Sequence, residues 1–350
     1  MTSVDRPGGR TPLSGQALGI LLVLVSAAGF GSGALFVQPL YDAGMEPFAV
    51  LFWRFATAAL FGWGFLLLSS RRRLTLRALP RKRVAVLLLL GALYVGNSYA
   101  FIASLQVVSI SLASIIAYLY PAIVAVMATR YLRSLEGRRA WIALGISIFG
   151  IALTVGGIPE GELPPLWGLV LAFANPVIYA TWIILQARLA GERPRSADVP
   201  AQQVAIPPGD AETAVEAEAA GDAPDPSPAA ALMTTATALV YAALLVASGG
   251  SVSPAAVPAG VWLPLLGLGL VATAIAIQTF YAGVKRVGGA RASLISTIEP
   301  VYTVVLAMIL FGERLTTMQI VGGALVIFAV ILAETGRADR VDAGAAKPEP

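Results

Sequence analysis

Apolar positions in this chain cluster into ten runs, near residues 17–37, 48–68, 84–105, 109–129, 140–158, 166–185, 229–248, 261–283, 290–311 and 316–333. Each approaches the ~20 residues that an α-helix needs to cross a hydrocarbon core about 30 Å thick. Runs three and four are nearly fused, with Gln106 to Ile110 as the candidate turn. A re-entrant or single long segment is the competing reading there, and the internal repeat argues against it. The pattern predicts an all-α integral membrane protein with ten transmembrane helices. Composition agrees: 57% of residues are hydrophobic and 13% charged, against roughly 25% charged in soluble proteins.

The second half of the pattern repeats the first. Placing Pro300 over Pro121 sets Ala292-Ser-Leu-Ile over Ala113-Ser-Ile-Ile and Ala282 over Ala103. Further on, Glu313 and Gly322 answer Glu136 and Gly145, each pair nine residues apart. Five spans per half is an odd number, so the second repeat enters the membrane upside down relative to the first. Two inverted five-helix repeats are an architecture of secondary transporters, with the substrate site at midplane between them. The expected organisation is an N-terminal tail (1–16), a first repeat (17–190), a joining segment (191–228), a second repeat (229–335) and a C-terminal tail (336–350). Residues 191–228 are rich in Pro, Ala, Asp and Glu without apolar periodicity, and read as a disordered tether. The tail after Ala338 reads the same way.

Charge orients the spans. If they alternate, 22 of the 24 basic residues fall on one side, in both termini and in connections such as Arg71 to Arg83 and Arg130 to Arg139; Arg54 and Arg314 are the exceptions. The opposite connections carry Asp42, Glu46, Glu160, Glu162 and Glu313. The positive-inside rule then places both termini and the tether in the cytoplasm of a multi-pass inner (plasma) membrane protein. No short h-region with a small-residue cleavage site precedes span one, so no cleaved signal peptide is expected. Cysteine and histidine are absent, which excludes disulfides, thiolate and imidazole metal sites and Ser-His-Asp triads. No phosphate-binding loop with its lysine is present, so the sequence calls for no nucleotide, cofactor or metal. The basic stretch Arg71 to Arg83 suits anionic lipid headgroups, not nucleic acid.

Candidate chemistry concentrates in Ser296-Thr-Ile-Glu-Pro300. Glu299 is the only carboxylate well inside an apolar run. An acidic residue at the centre of a span costs about 2.5–3.5 kcal/mol on insertion scales, and such residues face cavities or partners and mark ion or proton paths. Pro300 has no N–H to offer the Ser296 carbonyl, so that acceptor needs another partner. Ser296 and Thr303 share a helical face with Glu299. A carboxylate that only stabilises a helix bend is the competing reading. Arg54, about a third of the way into span two, either binds an anionic substrate group or snorkels outward. Tyr94, Asn97, Phe101 and Ser104 share one face of span three, and Ser111, Ser114 and Tyr118 one face of span four. Asn97 and Tyr118 are the preferred cavity residues, with Gln278 and Tyr281 in span eight weaker; the serines equally serve helix packing. Pro121, Pro176 and Pro300 are expected helix breaks or hinges. Gly29 and Gly33 form a GxxxG, a close-packing signal that serves either the bundle or a homodimer.

Together these residues resemble the EamA family of the drug/metabolite transporter superfamily. The likeness is carried by Arg54-Phe-Ala-Thr-Ala-Ala-Leu, Ala282-Gly-Val-Lys-Arg-Val, Ala292-Ser-Leu-Ile-Ser-Thr-Ile-Glu-Pro300, Phe311-Gly-Glu-Arg-Leu-Thr316 and Gln319-Ile-Val-Gly-Gly323. It covers about residues 17–190 and 229–335. The family often has Trp-Gly in span one, where this chain reads Phe30-Gly31; Tyr120-Pro121 of the first repeat stands against Glu299-Pro300 of the second. The resemblance implies ten helices in two inverted repeats that move small metabolites. The expected function is secondary-active transport of small organic solutes, amino-acid-like molecules or drugs, as an exporter driven by a proton gradient or by exchange. A carrier of sugars or nucleotide-sugars is the alternative within the superfamily. An enzyme or scaffold is disfavoured, because no cluster of nucleophile, base and ligands gathers at one membrane face. Because the chain has no cysteine, each introduced cysteine is a unique label. A membrane-impermeant thiol reagent added outside should label Cys at Glu160 or Ser251 but not at Arg77 or Asp222. Labelling of the latter two in sealed right-side-out vesicles would overturn the topology.

Overall fold

The computed structural model describes residues 15–131, 137–159, 162–189 and 227–345, and every regular element among them is helical. Helices α1 (Gly15–Asp42) and α2 (Pro47–Leu67) are followed by the short α3 (Ser70–Ala78) and by α4 (Arg81–Ser104). Then come α5 (Ile110–Ala117), α6 (Tyr120–Tyr131), α7 (Gly137–Gly156) and α8 (Leu166–Leu189). The second half holds α9 (Ser227–Ala247) and a continuous rod made of α10 (Trp262–Leu266), a π-helical stretch (Gly267–Ile275) and α11 (Ala276–Val287). It ends with α12 (Gly289–Ser296), α13 (Ile298–Phe311) and α14 (Thr317–Ala345). Among the described residues eight helical segments are long and apolar enough to cross a membrane, and Trp141–Gly156 and Thr317–Leu332 are shorter apolar stretches.

These elements follow the apolar runs, with informative differences. A turn through Leu105–Ser109 separates runs three and four, so they are distinct helices. Runs four and nine are each broken, at Tyr118-Leu119 and at Thr297, where the repeat aligns Pro121 with Pro300. Both prolines sit in the first turn of the helix that restarts after the break (α6 and α13), where a missing N–H costs no helical bond. Pro176 behaves otherwise. The sequence reading expected an interruption there, but α8 runs on from Leu166 to Leu189 with Pro176 inside it. Neighbouring helices and local adjustment let membrane helices absorb a proline without ending.

Three boundaries also differ. Helix α9 begins at Ser227, within the segment expected to be a tether, the rest of which lies outside the described residues. Pro228 fits a first turn for the reason just given. The expected unstructured tail instead continues α14 to Ala345, since Ala, Glu and Arg favour helix and no proline intervenes before Pro348. Between spans two and three, the basic connection folds into α3, which no apolar run announced.

Without water to squeeze out between helices in lipid, association depends on close packing and interhelical hydrogen bonds. Glycine makes the closest approaches. A Cβ at Gly91 of α4 would strike the backbone of Met233 in α9, and one at Gly322 of α14 the backbone of Gly150 and Thr154 in α7. The Gly29 and Gly33 face is used inside the bundle: a Cβ at Gly29 would lie 3.0 Å from the Ala276 Cβ, and one at Gly33 3.6 Å from that of Ala272. That motif therefore packs α1 against the rod of the eighth span. Large apolar side chains such as Leu60, Leu68 and Leu263 are exposed on the outside, while Asn97, Asn175, Ser98 and Thr273 are buried. The polarity is that of a protein dissolved in hydrocarbon.

One contact ties the two halves at the end of the half-helix α5. The chain turns after α13 through Gly312, at φ 68°, a left-handed conformation that glycine adopts without strain. This delivers Glu313 to the α5 N-terminus, where its carboxylate accepts from the backbone N–H of Ile110 (2.7 Å) and of Ser111 (3.0 Å). Ser109 Oγ accepts from Leu112 N–H at 3.3 Å. The first turn has orphan donors and a partial positive charge, so a carboxylate is its best cap. Replacing Glu313 by Ala strips two bonds at once and should lower stability by about 1–3 kcal/mol. Thermal unfolding in detergent is the measurement; a midpoint equal to wild type would refute the cap.

Candidate functional site

Both breaks face a common cavity of about 160 Å³ at the centre of the bundle. Its wall is drawn from α1, α2, α4, α5, α6, α8, α9, the π-helical stretch, α11 and α13, so both halves contribute. Glu299 and Thr303 stand on one side with Pro300; Arg54, Asn97 and Tyr118 also line it. The sequence candidates are thus largely brought together. Ser296 is buried next to the site without lining it, and Gln278 lies in a different groove, where Ser227 Oγ donates to its Oε1 at 3.3 Å. Gln278 and Tyr281 do not line the cavity.

The carbonyl freed by Pro300 has found the partner that hydrocarbon demands. The Tyr118 hydroxyl, at the break of the first repeat, reaches the Ser296 carbonyl oxygen at the break of the second, at a long 3.4 Å. The same hydroxyl is a hydrogen-bonding partner of the Glu299 carboxyl. The other carboxyl oxygen of Glu299, Oε2, is buried with no hydrogen-bond partner among the described residues. Thr303 Oγ1 donates back to the carbonyls of Glu299 (3.0 Å) and of Gly31 in α1 (3.1 Å). A Cβ at Gly31 would lie 2.6 Å from Thr303 Oγ1, so only glycine lets α1 approach α13 this closely.

Arg54 does not snorkel outward. Its Nε donates to Thr273 Oγ1 at 3.1 Å, and its guanidinium carbon lies 5.3 Å from the centre of the Phe55 ring. Thr273 is available because the π-helical winding lets its hydroxyl donate to the Leu268 carbonyl, five residues back, at 2.9 Å. π-Helical turns of this kind recur at functional sites. Arginine carries five N–H donors, so the Thr273 contact leaves most of them for the cavity. No ion pair joins Arg54 to Glu299 among the described residues.

Between these poles the lining is amide and aromatic. Asn175 Nδ2 donates to Asn97 Oδ1 at 2.7 Å and to the Asn97 carbonyl at 3.2 Å. The Tyr120 and Tyr179 rings meet edge to face, with centroids 4.7 Å apart. Ser98 Oγ and the Tyr241 hydroxyl are 2.7 Å apart behind the wall. The sequence reading did not single out Tyr179, Tyr120 or Thr273 as cavity residues. Asn175 carried a signal, an amide inside an apolar run, but was read only through its neighbour Pro176. Phe30 supplies an aromatic side chain from span one, at the position where the related pattern often has tryptophan.

Comparison with known proteins adds the following. The EamA-like transporter family matches residues 17–156 and 214–335, one match in each half. A Bacillus subtilis protein described as "Uncharacterized transporter YcbK" is 24% identical over 324 residues, 90% of this chain and 92% of that protein. An Archaeoglobus fulgidus "Uncharacterized transporter" is 39% identical over 74 residues, which is 21% of this chain and 27% of that protein. A solved structure titled "Crystal structure of protein" superposes with a TM-score of 0.56 at 18% identity, covering 93% of this chain and 98% of its own; that likeness bears on the fold alone. The geometry itself makes a prediction. Tyr118→Phe leaves a buried carbonyl and a carboxyl without their shared partner, and should cost about 1–3 kcal/mol of stability. Unfolding of the purified variant in detergent reads this, and an unchanged midpoint would mean that the Tyr118 hydroxyl bridges nothing.

Proposed function

Because the chain belongs to the EamA-like transporter family and is a membrane transporter, we propose that its central cavity carries a small zwitterionic organic solute, amino-acid-like in its charges, by secondary-active export. The observation that carries this reading is the buried, unpartnered Oε2 of Glu299 in a cavity whose wall also includes Arg54. An ammonium group would complete the carboxylate, and a carboxylate would take the spare guanidinium donors, so one molecule with both charges satisfies both ends. A neutral sugar would leave both charges unpaired at high cost, which ranks sugar carriage second. The ten-span arrangement as inverted repeats, with both termini cytoplasmic in the inner membrane, supplies two access routes related by symmetry. Its support is the aligned pair of breaks and the placement of the basic residues.

The same geometry offers a coupling device. Tyr118 has one hydroxyl proton and two acceptors, the Ser296 carbonyl and Glu299. When Glu299 is ionised, its carboxylate is the stronger acceptor and takes the Tyr118 proton, which leaves the Ser296 carbonyl less satisfied. When Glu299 is protonated, it donates to the Tyr118 oxygen, and Tyr118 in turn donates to Ser296. Protonation of Glu299 thereby closes a hydrogen-bond chain across the two helix breaks, and ionisation opens it. A substrate cation and a proton compete for the same carboxyl, so each event alters the free energy of the other by an equal amount.

Glu299→Gln keeps the shape and most of the hydrogen bonding but cannot ionise. In proteoliposomes it should retain wild-type folding and lose gradient-driven accumulation of labelled amino acids by at least about tenfold, the effect of roughly 1.4 kcal/mol. Downhill exchange should survive better than accumulation. Wild-type accumulation with an unaltered pH dependence would exclude Glu299 as the coupling group and leave it as part of the helix bend.

A further inference from the structure

A second recess, unused by the reading above, opens on the outside of the bundle. It is a groove of about 410 Å³ between α2, α9 and the rod of the eighth span. Its walls are apolar, with Phe61, Phe65 and Leu68 on one side and Ala231, Leu270 and Ile275 on the others. Along α2 it runs from Ala58 to Leu68, about 15 Å at the helical rise. That is about half of the ~30 Å hydrocarbon core, the depth of one leaflet. At its deep end Thr234 and Ile277 form a wall shared with the central cavity.

The other end of the groove is cationic. There α2 gives way to α3, which begins Ser70-Arg71-Arg72-Arg73. The Arg72 guanidinium carbon lies 3.6 Å from the centre of the Phe65 ring, and its Nη1 donates to the Phe65 carbonyl at 3.1 Å. Arg73 donates to the Leu67 carbonyl (3.0 Å) and to Ser70 Oγ (2.8 Å). Both arginines thus neutralise the carbonyl end of α2 and are held at the mouth of the groove. Arg73 is exposed and uses two of its five donors in these bonds.

We propose that this groove is a binding site for one anionic phospholipid of the leaflet on the α3 side, the cytoplasmic leaflet in the orientation proposed above. An acyl chain lies along α2 between headgroup level and mid-membrane, and the phosphate and its anionic headgroup engage Arg73 and its neighbours. The match of groove length to leaflet depth selects an acyl chain. The arginines select a negative headgroup, since basic residues at the membrane surface attract anionic lipid. The chain terminus then packs against Thr234 and Ile277, the wall shared with the central cavity, and backs that wall from the bilayer side.

The full chain, purified in detergent, tests this by native mass spectrometry and thermal unfolding with phosphatidylglycerol or phosphatidylcholine of identical acyl chains. Wild type should retain phosphatidylglycerol at a ratio of one and gain thermal stability from it, with a clearly smaller gain from phosphatidylcholine. R72Q/R73Q should erase the difference between the two lipids. G64L should fill the groove and abolish retention of both at an unchanged lipid-free midpoint, because a Cβ at Gly64 meets nothing within 4 Å. Equal retention of the two lipids by wild type, or undiminished phosphatidylglycerol retention by G64L, would overturn the site. So would loss of transport in G64L with lipid retention intact, which would assign the groove to substrate entry. Lipid retention is read without transport, so failure of the Glu299 reading would leave this result standing.

Discussion

In hydrocarbon every backbone carbonyl must find a donor inside the protein, and the centre of this structure is arranged around two carbonyl rows that proline has interrupted. Pro121 and Pro300 each withhold a donor from the turn before them, and at each a span restarts as a second half-helix. The Ser296 carbonyl is met by Tyr118 from the opposite half. A local defect in one half is thereby met by a residue at the matching break of the other, which links the two halves there. The N-terminal end of α5 shows the same logic: its orphan N–H groups are met by Glu313 of the second half. The half-helices are held in part by long-range bonds between the two halves.

The cavity inherits its chemistry from this arrangement. Broken spans expose polar backbone at mid-membrane, where a carboxyl and a guanidinium become tolerable because the space they face is not lipid. Arg54 is held by a threonine that a π-helical stretch has turned toward it. Glu299 is left with an oxygen that nothing among the described residues satisfies. Structural ion pairs close their own valences; these two groups instead face a shared space without an ion pair between them among the described residues. Packing supports it from behind: glycines bring α4 onto α9 and α7 onto α14 at backbone contact, giving rigid pairs around the irregular centre.

Much of this was legible in the chain itself. Segment length, the apolar runs, the duplication and the isolated Glu299-Pro300 pair are local or periodic properties, and hydrocarbon allows a run of ~20 apolar residues few conformations besides a helix. Hence the spans, the two breaks, and the common location of Glu299, Arg54, Asn97, Tyr118 and Thr303 could be anticipated. Other features were decided only in three dimensions. Pro176 and Pro300 look alike in sequence, yet α8 continues and the ninth span breaks, because the outcome depends on what neighbouring helices offer the freed carbonyl. Thr273 lies in the π-helical stretch, where its hydroxyl donates to the Leu268 carbonyl and accepts from Arg54, and that five-residue contact is invisible to a 3.6-residue period. The pairing of Tyr118 with Ser296 and Glu299 joins residues more than 170 positions apart, and no spacing encodes such a contact, because it exists only where two folded halves meet.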